Sequence, residues 1–473
     1  MSMPAVPRLN VAGIARLPAT VQRPHYELPQ RCGIVHLGLG AFHRAHQAVY
    51  TDDAMAAGSC DWSITGVSMR SAQVREQLEP QGGLYTVTQS GAAWHEIRLI
   101  GAIRTVLVAP EDPLAVIAAL AAPDTRIVSL TVTEKGYHRQ PDQSLDFAAP
   151  PVAADLQGGA QTLYGLLARA CAVRDQRALP GLTLLSCDNL ADNGSQLERL
   201  LLQFLDRADP ATARWVSREC RCPATMVDRI VPATTAQDLS WLDAQLGAHD
   251  AAAVMTEPFR QWVIEDSFTG SRPRWEAGGA QFVTAVAPYE TAKLRMLNGA
   301  HSALAYLGLA GGHEFVHEAI GEARLAALIN VLMREEAARS FRPAPGQDLQ
   351  AYADSLLVRF ANRARPHRLR QIAMDGSQKI PQRWLDTLRI AQSEGRRCAA
   401  LLQALAAWIA FVRGERFPVE DPAARELAAL WQQFGATGIA GALFGPGGRF
   451  AQWTATAADL DDLTAAIKSD VAR

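Results

Sequence analysis

The strongest constraint on the fold is a short apolar stretch that ends in a glycine turn and leads into helix-forming residues. Residues 33–40, GIVHLGLG, predict a buried strand, and the following AFHRAHQAVYTDDAMAAG predicts a helix that ends at Gly58. A turn of this kind lets a pyrophosphate approach bare backbone, and the helix behind it offers free N–H groups. The pattern therefore predicts a dinucleotide site that includes Gly38, Leu39, Gly40, Ala41 and Phe42.

The turn departs from the usual G-x-G-x-x-G pattern, because His43 stands where the third glycine is expected. A lone G-x-G is also common in ordinary turns, so both interpretations stay open. The nitrogen-bearing side chains of His43, Arg44 and His46 could neutralise phosphate or touch a substrate. They could equally cap and solvate the helix. We keep His46 as a candidate substrate contact.

Strand-like and helix-like segments alternate through the first part of the chain. Further strands are predicted for residues 62–69, 126–134 and 182–189, with helices over 113–122 and 160–174. Such alternation indicates a parallel sheet that is covered on both faces.

The character of the sequence changes near Tyr289, after which helical periods dominate. Turn-forming residues at 267–279 suggest a linker or a long connection before this change. Helices are predicted over residues 291–310, 314–337, 349–361, 381–393 and 398–412. We therefore predict an α/β fold with a Rossmann-type doubly wound sheet domain over residues 1–285, followed by a mainly α-helical domain over residues 286–473.

Polar residues follow the predicted strands, where ligands bind in open parallel sheets. Thr131 and Glu134 lie at the carboxyl end of one predicted strand and are candidate cofactor contacts, and Asp188 and Asn189 lie at the carboxyl end of the next. Asp188 and Asn189 could instead cap the next helix, since both are natural N-cap residues.

The second predicted strand ends at Arg70, without the acid that would bind a ribose 2′-hydroxyl. NADP is therefore not excluded beside NAD. Arg70 could face a 2′-phosphate, or it could simply be solvated.

The segment KLRMLNGAH places Lys293, Asn298 and His301 in a predicted helix. Burial in such a segment lowers the pKa of a lysine, which makes Lys293 a candidate base toward an alcohol. At about 100° per residue, Asn298 and His301 lie about 60° apart and Lys293 about 80° from His301. One broad face could hold all three side chains. A solvated lysine beside a hydrogen-bonded core histidine is the alternative.

Composition excludes several classes of protein. With 46 basic and 48 acidic residues the formal net charge is −2, so no broad basic field exists for nucleic acid. The start of the chain lacks the apolar stretch of a signal peptide, and the run at residues 401–412 is too short to span a bilayer. The seven cysteines are scattered, and only Cys220 and Cys222 are close, which is weak evidence for zinc. We expect a reduced cytoplasmic protein, a monomer or small homo-oligomer, without a metal.

Several stretches agree with one enzyme family in order and spacing. They are IVHLGLGAFHRAHQAVYTD, VSLTVTEKGY, SCDN, MVDRIVPA, EPFRQWVIED, KLRMLNGAHSALAYLG and QIAMDGSQKIPQR. The chain thereby resembles the long-chain mannitol dehydrogenase family, which includes mannitol 2-dehydrogenase, fructuronate reductase and tagaturonate reductase. The resemblance runs from Ile34 to Arg383. It implies a zinc-independent enzyme that moves hydride between a polyol-type alcohol and NAD(P), with NAD the family's habit.

The resemblance also implies roles for single residues. Lys293 would be the general base in oxidation and the acid in reduction. Asn189 and Asn298 would form the oxyanion hole, and His301 would hold Lys293 and substrate hydroxyls. The acids that match the family's proton-transfer residues are Asp228 and Glu290. One departure is that Asn362-Arg363 stands where the family usually has Asn-Pro, which leaves the substrate contacts of that segment open.

The choice of substrate depends on whether a carboxylate is recognised. Fructuronate carries one that mannitol and fructose lack, and its recognition calls for a fixed cation, ideally an arginine in a bidentate pair. The candidate cations are Arg260, Arg370, Lys379 and Arg383. The stretches EKGY, FRQWVIED and QIAMDGSQK are most similar to fructuronate reductases, which favours D-mannonate and D-fructuronate over mannitol, fructose or tagaturonate. A catalytically silent dinucleotide-binding sensor is a more remote alternative, because it need not keep Lys293, Asn298 and His301 together.

Overall fold

The computed structural model describes residues 6–28, 31–91, 94–364 and 366–471. The chain divides between Val286 and Ala287 into two compact units, called the first and the second unit below. Each unit has hydrophobic core clusters of its own. Among the described residues, no helix has both the length and the apolar character that crossing a membrane would require.

The first unit contains the β-strands of the described chain. They are β1 Cys32–Leu37, β2 Ser63–Ser68, β3 Tyr85–Ser90, β4 His95–Ile100, β5 Ile103–Val108, β6 Ile127–Leu130, β7 Thr183–Ser186, β8 Thr225–Asp228, β9 Val254–Thr256, β10 Gln261–Glu265 and β11 Gln281–Val283. The main sheet has the order β5-β2-β1-β6-β7, and all its strands are parallel. Two smaller sheets have the orders β11-β10-β8 and β4-β3-β9.

Side chains of the main sheet alternate between two buried faces. In β1, Val35 and Leu37 join one core cluster and Ile34 joins another. In β6, Val128 joins the same core cluster as Val35, and Ile127 joins the same cluster as Ile34. Apolar side chains on both faces require covering elements on both sides of the sheet. This arrangement confirms the predicted Rossmann-type doubly wound sheet.

Helices and short 3₁₀ turns connect these strands. The α-helices of the first unit are α1 Ala41–Ala45, α2 Gln47–Ala56, α3 Gln73–Leu78, α4 Pro113–Leu120, α5 Pro150–Leu156, α6 Leu163–Gln176, α7 Asn193–Ala208, α8 Pro210–Glu219 and α9 Ala236–Leu246. The 3₁₀ helices are Val11–Arg16, Glu79–Gln81, Glu134–Tyr137 and Trp275–Gly278. Several α-helices begin at a side-chain cap, as α6 does at Thr162 and α9 at Thr235.

The prediction of one continuous helix after the glycine turn is wrong. Helix α1 ends at Ala45 and α2 begins at Gln47, because His46 between them has φ −120° and ψ −90°. The segment from Ala41 to Ala56 contains neither glycine nor proline. The ring of His46 instead reaches the backbone of β10, where its Nε2 lies 2.8 Å from the carbonyl oxygen of Gln261. A tertiary contact therefore accompanies a break that no local signal predicts.

The second unit is helical, which confirms the predicted fold class. Its α-helices are α10 Ala287–Ala292, α11 Gly299–Ala310, α12 Val316–Gly321, α13 Ala323–Val331, α14 Leu349–Phe360, α15 Leu369–Ala373, α16 Gly376–Ile380, α17 Asp386–Ser393, α18 Ala399–Phe411, α19 Ala424–Phe444 and α20 Ala457–Val471. Three segments are π-helical, namely π1 Lys293–Asn298, π2 Leu332–Ala337 and π3 Pro381–Leu385, and Ala338–Ser340 form a 3₁₀ turn. Helix α19 is kinked at Gly435, where φ is +57°.

Candidate active site

In the glycine turn after β1, Gly38 adopts a conformation that suits glycine alone. Gly38 has φ +97°, and a Cβ there would lie 2.2 Å from the carbonyl oxygen of Thr131. Gly40 has φ −100°, and a Cβ there would find its first neighbour at 3.8 Å. Because β2 lies on one side of β1 and β6 on the other, the strand order reverses at this turn, as it does where doubly wound sheets bind nucleotides. The other residues of the predicted cofactor site are Leu39, which is buried, and Ala41 and Phe42, which are half-buried.

A buried hydrogen-bond relay stabilises this turn. Thr131 Oγ1 donates to the carbonyl oxygen of Gly38 at 2.8 Å, and His36 Nε2 lies 2.9 Å from Thr131 Oγ1. His36 Nδ1 lies 2.8 Å from Ser129 Oγ. Since Thr131 gives its proton to Gly38, its oxygen accepts from His36 Nε2–H, and His36 Nδ1 accepts from Ser129. Burial lowers the pKa of His36 to about 3, so the ring stays neutral and keeps these bond directions near pH 7.

The nitrogen-bearing side chains after the turn are buried. The ring of His43 stacks on that of His36 with centroids 3.4 Å apart. Arg44 donates to two backbone carbonyl groups. His46 is fully buried, and its Nε2 is bound to the backbone of β10. The interpretation that these side chains solvate the helix is therefore wrong, because all three are buried, and the ring nitrogens of His43 have no hydrogen-bond partner among the described residues. The substrate contact of His46 stays a prediction.

Asp188 links the carboxyl ends of β6 and β7. Its carboxylate accepts hydrogen bonds from the N–H groups of Val132, at 3.2 Å, and Thr133, at 2.8 Å. It also accepts from the hydroxyl of Tyr137 at 2.9 Å. Burial raises the pKa of Asp188. Asp188 therefore does not cap the next helix, as one interpretation of the sequence had it, but holds the segment that follows β6.

Three of the predicted site residues have exposed side chains at strand ends. They are Arg70 after β2, Glu134 after β6 and Asn189 after β7. Because these strands run parallel to β1 in the same sheet, their carboxyl ends share one edge of the sheet with the glycine turn. That edge is where open α/β sheets bind ligands.

Arg260 is engaged within the first unit. It lies next to β10, which pairs with β8 and its last residue, the buried Asp228. Arg260 Nη2 donates to Asp53 Oδ2 at 2.6 Å and to the carbonyl oxygen of Gly278 at 3.0 Å. Both protons of Nη2 are thus committed. Arg260 Nη1 has no hydrogen-bond partner among the described residues, so Arg260 stays a predicted contact of a substrate carboxylate, although Nη2 leaves no second donor for a bidentate pair at the tip of the guanidinium.

In the second unit, the segment of Lys293, Asn298 and His301 departs from α-helical geometry. Lys293 to Asn298 form π1, and His301 follows in α11. Winding is roughly 80° per residue in a π-helix, since its hydrogen bonds span five residues instead of four. Lys293 and Asn298 are therefore roughly 40° apart around the axis, against roughly 140° in an α-helix. The predicted angle of about 80° between Lys293 and His301 is therefore wrong, the angle of about 60° between Asn298 and His301 is unchanged, and all three half-buried side chains fall within roughly 60°.

His301 is a neutral histidine beside this π-helix. Its ring packs against Phe360, with centroids 4.7 Å apart, and edge-on to His367 at 5.5 Å. Burial, followed by nearby positive charge that begins with His367, lowers the pKa of His301 well below its usual value. A neutral ring has one donor and one acceptor for hydroxyl groups. Glu290, in α10, is half-buried three residues before Lys293.

Two of the predicted carboxylate-binding cations are Arg383, which contacts the end of the π-helix, and Lys379, whose Nζ lies 3.8 Å from Asp375 Oδ2. Arg383 Nη1 donates to Ser302 Oγ at 2.7 Å and approaches the carbonyl oxygen of Asn298 at 3.3 Å, and burial lowers the pKa of Arg383 to about 10. Lys379 Nζ donates to a backbone carbonyl at 2.7 Å. Burial, followed by the charge of Arg383, lowers the pKa of Lys379. Arg370 is exposed, so the structure groups Lys379 with Arg383 and leaves Arg370 on the surface.

The segment that departs from the family pattern lies between α14 and α15. Asn362 Oδ1 accepts from the N–H of Ala364 at 3.0 Å, which forms a local turn. Arg363 is exposed. Arg365 lies outside the described residues. Two residues further on, His367 contacts His301, so this segment reaches the candidate site through a side chain that carries no motif of its own.

Sequence reasoning missed the side chains that support the site. His36 and Ser129 stand in the buried strands β1 and β6, and Ser302 stands in the buried helix α11. One signal was available, since a polar residue inside an apolar strand needs a hydrogen-bond partner. The identity of that partner depends on strand pairing, which the sequence does not state.

Within the part of the chain that the structure describes, no three His, Cys, Asp or Glu side chains come together as a metal site would require. The cysteines are free thiols. Cys220, buried at the end of α8, accepts a hydrogen bond from the N–H of Leu182 at 3.5 Å. It therefore has a structural partner in the first unit.

A nucleotide-binding sheet, followed by a helical unit with an amine, an amide and an imidazole on one helix face, defines a dehydrogenase-like protein. The mannitol dehydrogenase Rossmann domain matches residues 32–277, and the mannitol dehydrogenase C-terminal domain matches residues 285–444. The chain therefore belongs to the mannitol dehydrogenase family and is an oxidoreductase.

Similar proteins cover nearly the whole chain. D-mannonate oxidoreductase from Escherichia coli (strain K12) is 40% identical over 446 residues, which is 91% of each protein. A mannitol 2-dehydrogenase from Pseudomonas fluorescens, solved as a ternary complex with NAD and D-mannitol, is 35% identical with a TM-score of 0.80, covering 98% of this chain and 96% of that one. A D-sorbitol dehydrogenase in substrate-free form is 30% identical with a TM-score of 0.90, covering 98% and 97%.

Proposed function

We propose that the protein is an NAD-dependent, metal-independent oxidoreductase that interconverts D-mannonate and D-fructuronate. The observation on this chain that favours a sugar acid is the half-buried Lys379, a cation with which a substrate carboxylate can pair. The carboxylate of Asp375 lies 3.8 Å from Lys379 Nζ, so a substrate carboxylate would compete with that ion pair. The similarity to D-mannonate oxidoreductase, at 40% identity, supports the same substrate class.

The first unit suits a nicotinamide dinucleotide. The backbone of Gly38 leaves no room for a Cβ and lies at the switch point of the sheet, where a pyrophosphate can approach the main chain. When bound, the dinucleotide accepts hydride from the alcohol or returns it to the ketone. The other candidate contacts are Leu39, Gly40, Ala41, Phe42, Thr131 and Glu134. Arg70 is exposed at the end of β2, which keeps NADP as the second cofactor to test.

The chemistry of the chain's own residues is proton transfer and charge stabilisation. Lys293 takes the proton from the alcohol hydroxyl in oxidation and returns it to the oxygen in reduction. Asn189 and Asn298 donate amide hydrogens to that oxygen while it carries partial negative charge. His301, neutral near pH 7, orients the hydroxyl groups. The residues proposed to pass the proton onward are Asp228 and Glu290.

A second candidate is oxidation of D-mannitol to D-fructose. It is supported by the likeness to the Pseudomonas fluorescens mannitol 2-dehydrogenase complex, at a TM-score of 0.80. A third candidate reaction is the reduction of tagaturonate, which is also a sugar acid. A silent dinucleotide-binding sensor is less well supported, because the π-helix brings Lys293 and Asn298 closer in direction than an α-helix would.

The decisive experiment is a kinetic comparison of D-fructuronate, D-fructose and D-tagaturonate with purified protein and NADH, repeated with NADPH. We expect the highest kcat/KM with fructuronate and NADH. A higher kcat/KM with fructose would favour mannitol and fructose as the substrate pair over the sugar acids. Absence of NADH oxidation with all three ketoses would refute the enzyme assignment.

The carboxylate site can be tested separately through Lys379. Lys379→Met should raise the KM for fructuronate by about 10- to 100-fold, because a charge-assisted hydrogen bond is lost, and should change fructose reduction little. Lys468→Met is the matched control, since Lys468 is an exposed lysine of α20. Equal effects of Lys379→Met on both substrates would dismiss Lys379 as the carboxylate partner.

A further inference from the structure

The π-helical winding of Lys293 to Asn298 has no cause in its own sequence. The segment KLRMLN contains neither glycine nor proline, and its residues are ordinary helix formers. Segment π3 differs, because it begins at Pro381, which lacks an N–H group and disturbs the helix that precedes it. Since local sequence favours an α-helix at π1, tertiary contacts must stabilise the wider turn.

The contacts that reach the end of π1 come from two neighbouring side chains of π3. Arg383 Nη1 donates to Ser302 Oγ at 2.7 Å and approaches the carbonyl oxygen of Asn298 at 3.3 Å. Trp384 Nε1 donates to the carbonyl oxygen of Gly299 at 3.0 Å. Trp384 is fully buried. These donors therefore bind consecutive carbonyl groups at the junction where π1 passes into α11.

The packing at this junction is close. A Cβ on Gly299 would lie 3.5 Å from the carbonyl oxygen of Arg383 and 3.6 Å from the ring of Trp384. Inside π1, Met296 and Leu297 are buried, and Arg295 Nη1 donates to the carbonyl oxygen of Ser340 at 2.6 Å. Contacts thus hold π1 both within its length and at its junction with α11, where the donors come from π3.

We propose that Arg383 and Trp384 are positioning residues that hold π1 in its wide turn, so that Lys293 and Asn298 point to the same side. Release of the turn to α-helical winding would move the two side chains apart by roughly 100° around the helix axis. The amine of Lys293 and the amide of Asn298 would then no longer reach the same substrate oxygen. This inference rests on the proposed function and assigns Arg383 a role other than that of a substrate carboxylate partner.

The kinetic test uses Arg383→Ala and the milder Ser302→Ala, which removes a partner of Arg383 without changing charge. Arg383→Ala should lower kcat for fructuronate and fructose alike, by about 10- to 100-fold, with the KM values nearly unchanged. Ser302→Ala should lower kcat by about 3- to 10-fold for both substrates. Arg383→Lys should recover part of the kcat that Arg383→Ala loses. In the variants with a lower kcat, the apparent pKa in the pH profile of kcat should shift as well.

One kinetic result would overturn the proposal. If Arg383→Ala raises the KM for fructuronate only and leaves fructose reduction intact, Arg383 binds the carboxylate and does not position π1. Unchanged kcat in both Arg383→Ala and Ser302→Ala would overturn it as well.

A structural readout separates this inference from the proposed activity. Hydrogen–deuterium exchange over residues 293–302 should accelerate in Arg383→Ala and in Trp384→Phe, whether or not any ketose is reduced. The peptide over residues 457–469, in α20, is the internal control and should exchange as in the wild type. Unaltered exchange over residues 293–302 in both variants would overturn the inference, whereas a failure of the ketose assay alone would count against the proposed function.

Discussion

At the scale of single residues, buried or half-buried polar side chains shape the candidate site. His36 and Thr131 have hydrogen-bond partners that determine the shape of the glycine turn. His301 is kept neutral by burial and by neighbouring positive charge. Lys293 is half-buried in π1. Burial therefore acts in two ways here, since it orders the cofactor turn in one unit and keeps the imidazole uncharged in the other.

Replacing Lys293 tests the proton acceptor. Lys293→Ala should lower kcat by about 10²- to 10⁴-fold, because general base catalysis is lost. NADH binding, followed by the change in its fluorescence, should remain within about 2-fold, because the glycine turn is untouched. Lys468→Ala is the control, since Lys468 is an exposed lysine of α20. Normal turnover of Lys293→Ala at neutral pH would rule out its role.

The lowered pKa of His36 predicts a loss of stability in acid. Its pKa is about 3 in the folded protein against 6.5 as the ordinary value, so the unfolded chain binds the proton more readily. The stabilisation is complete above pH 6.5 and is lost as the pH falls below that value, at about 1.4 kcal/mol per pH unit. Urea unfolding of the first unit at pH 7.5 and at pH 5.5 measures the change.

His36→Gln is the variant that isolates this effect. Glutamine keeps an N–H donor for Thr131 but does not titrate. The difference in unfolding free energy between the two pH values should therefore shrink by about 1.4 kcal/mol. If the variant and the wild type showed the same difference, folding would not lower the pKa of His36.

Among the secondary-structure elements, short irregularities position the site. The turn after β1, the break between α1 and α2 at His46 and the π turn at Lys293 each redirect the chain within a few residues. Regular elements on either side supply rigidity. A functional side chain at such an irregularity receives a direction that the regular element would not give it.

The two glycines of the turn make a matched pair for testing its geometry. Gly38→Ala should destabilise the first unit by about 2 kcal/mol or more, because its φ is +97° and the new Cβ would meet the carbonyl oxygen of Thr131 at 2.2 Å. Gly40→Ala should leave folding nearly unchanged, because its φ is −100° and its first neighbour is 3.8 Å away. Thermal unfolding of both variants measures this. Equal destabilisation would contradict the assigned strain.

For the molecule as a whole, charge and cysteine content agree with an enzyme of small molecules. The formal net charge is −2, and the cysteines of the described chain are unpaired. Each unit has a hydrophobic core of its own. The family match extends over both units, from residue 32 to residue 444.

Metal independence is the prediction that concerns the whole protein. Dialysis against a strong chelator, followed by assay with NADH and the active ketose, should leave turnover within about 2-fold, because the proposed base and oxyanion donors are side-chain nitrogens. A zinc enzyme assayed in parallel provides the control for chelation. Loss of activity that added zinc restores would refute the metal-free mechanism.

The sequence alone determined the fold class and most of the candidate residues. Alternation of strand and helix signals, with glycines after the first strand, is a local pattern. Such patterns can be recognised from the sequence without the structure. The order and spacing of the motifs then indicated the family that the comparisons confirm. Site roles such as those of Lys293, Asn189 and Asp228 remain proposals that kinetics must test.

Only the tertiary structure decided how the side chains are used. It turned Arg260 toward Asp53, buried His46 against β10, and placed Asp188 on the backbone that follows β6. It also wound Lys293 to Asn298 into a π-helix, although their residues favour an α-helix. Each of these outcomes depends on partners distant in the chain, and a hydrogen bond or an ion pair across such a distance leaves no periodic signal in the sequence.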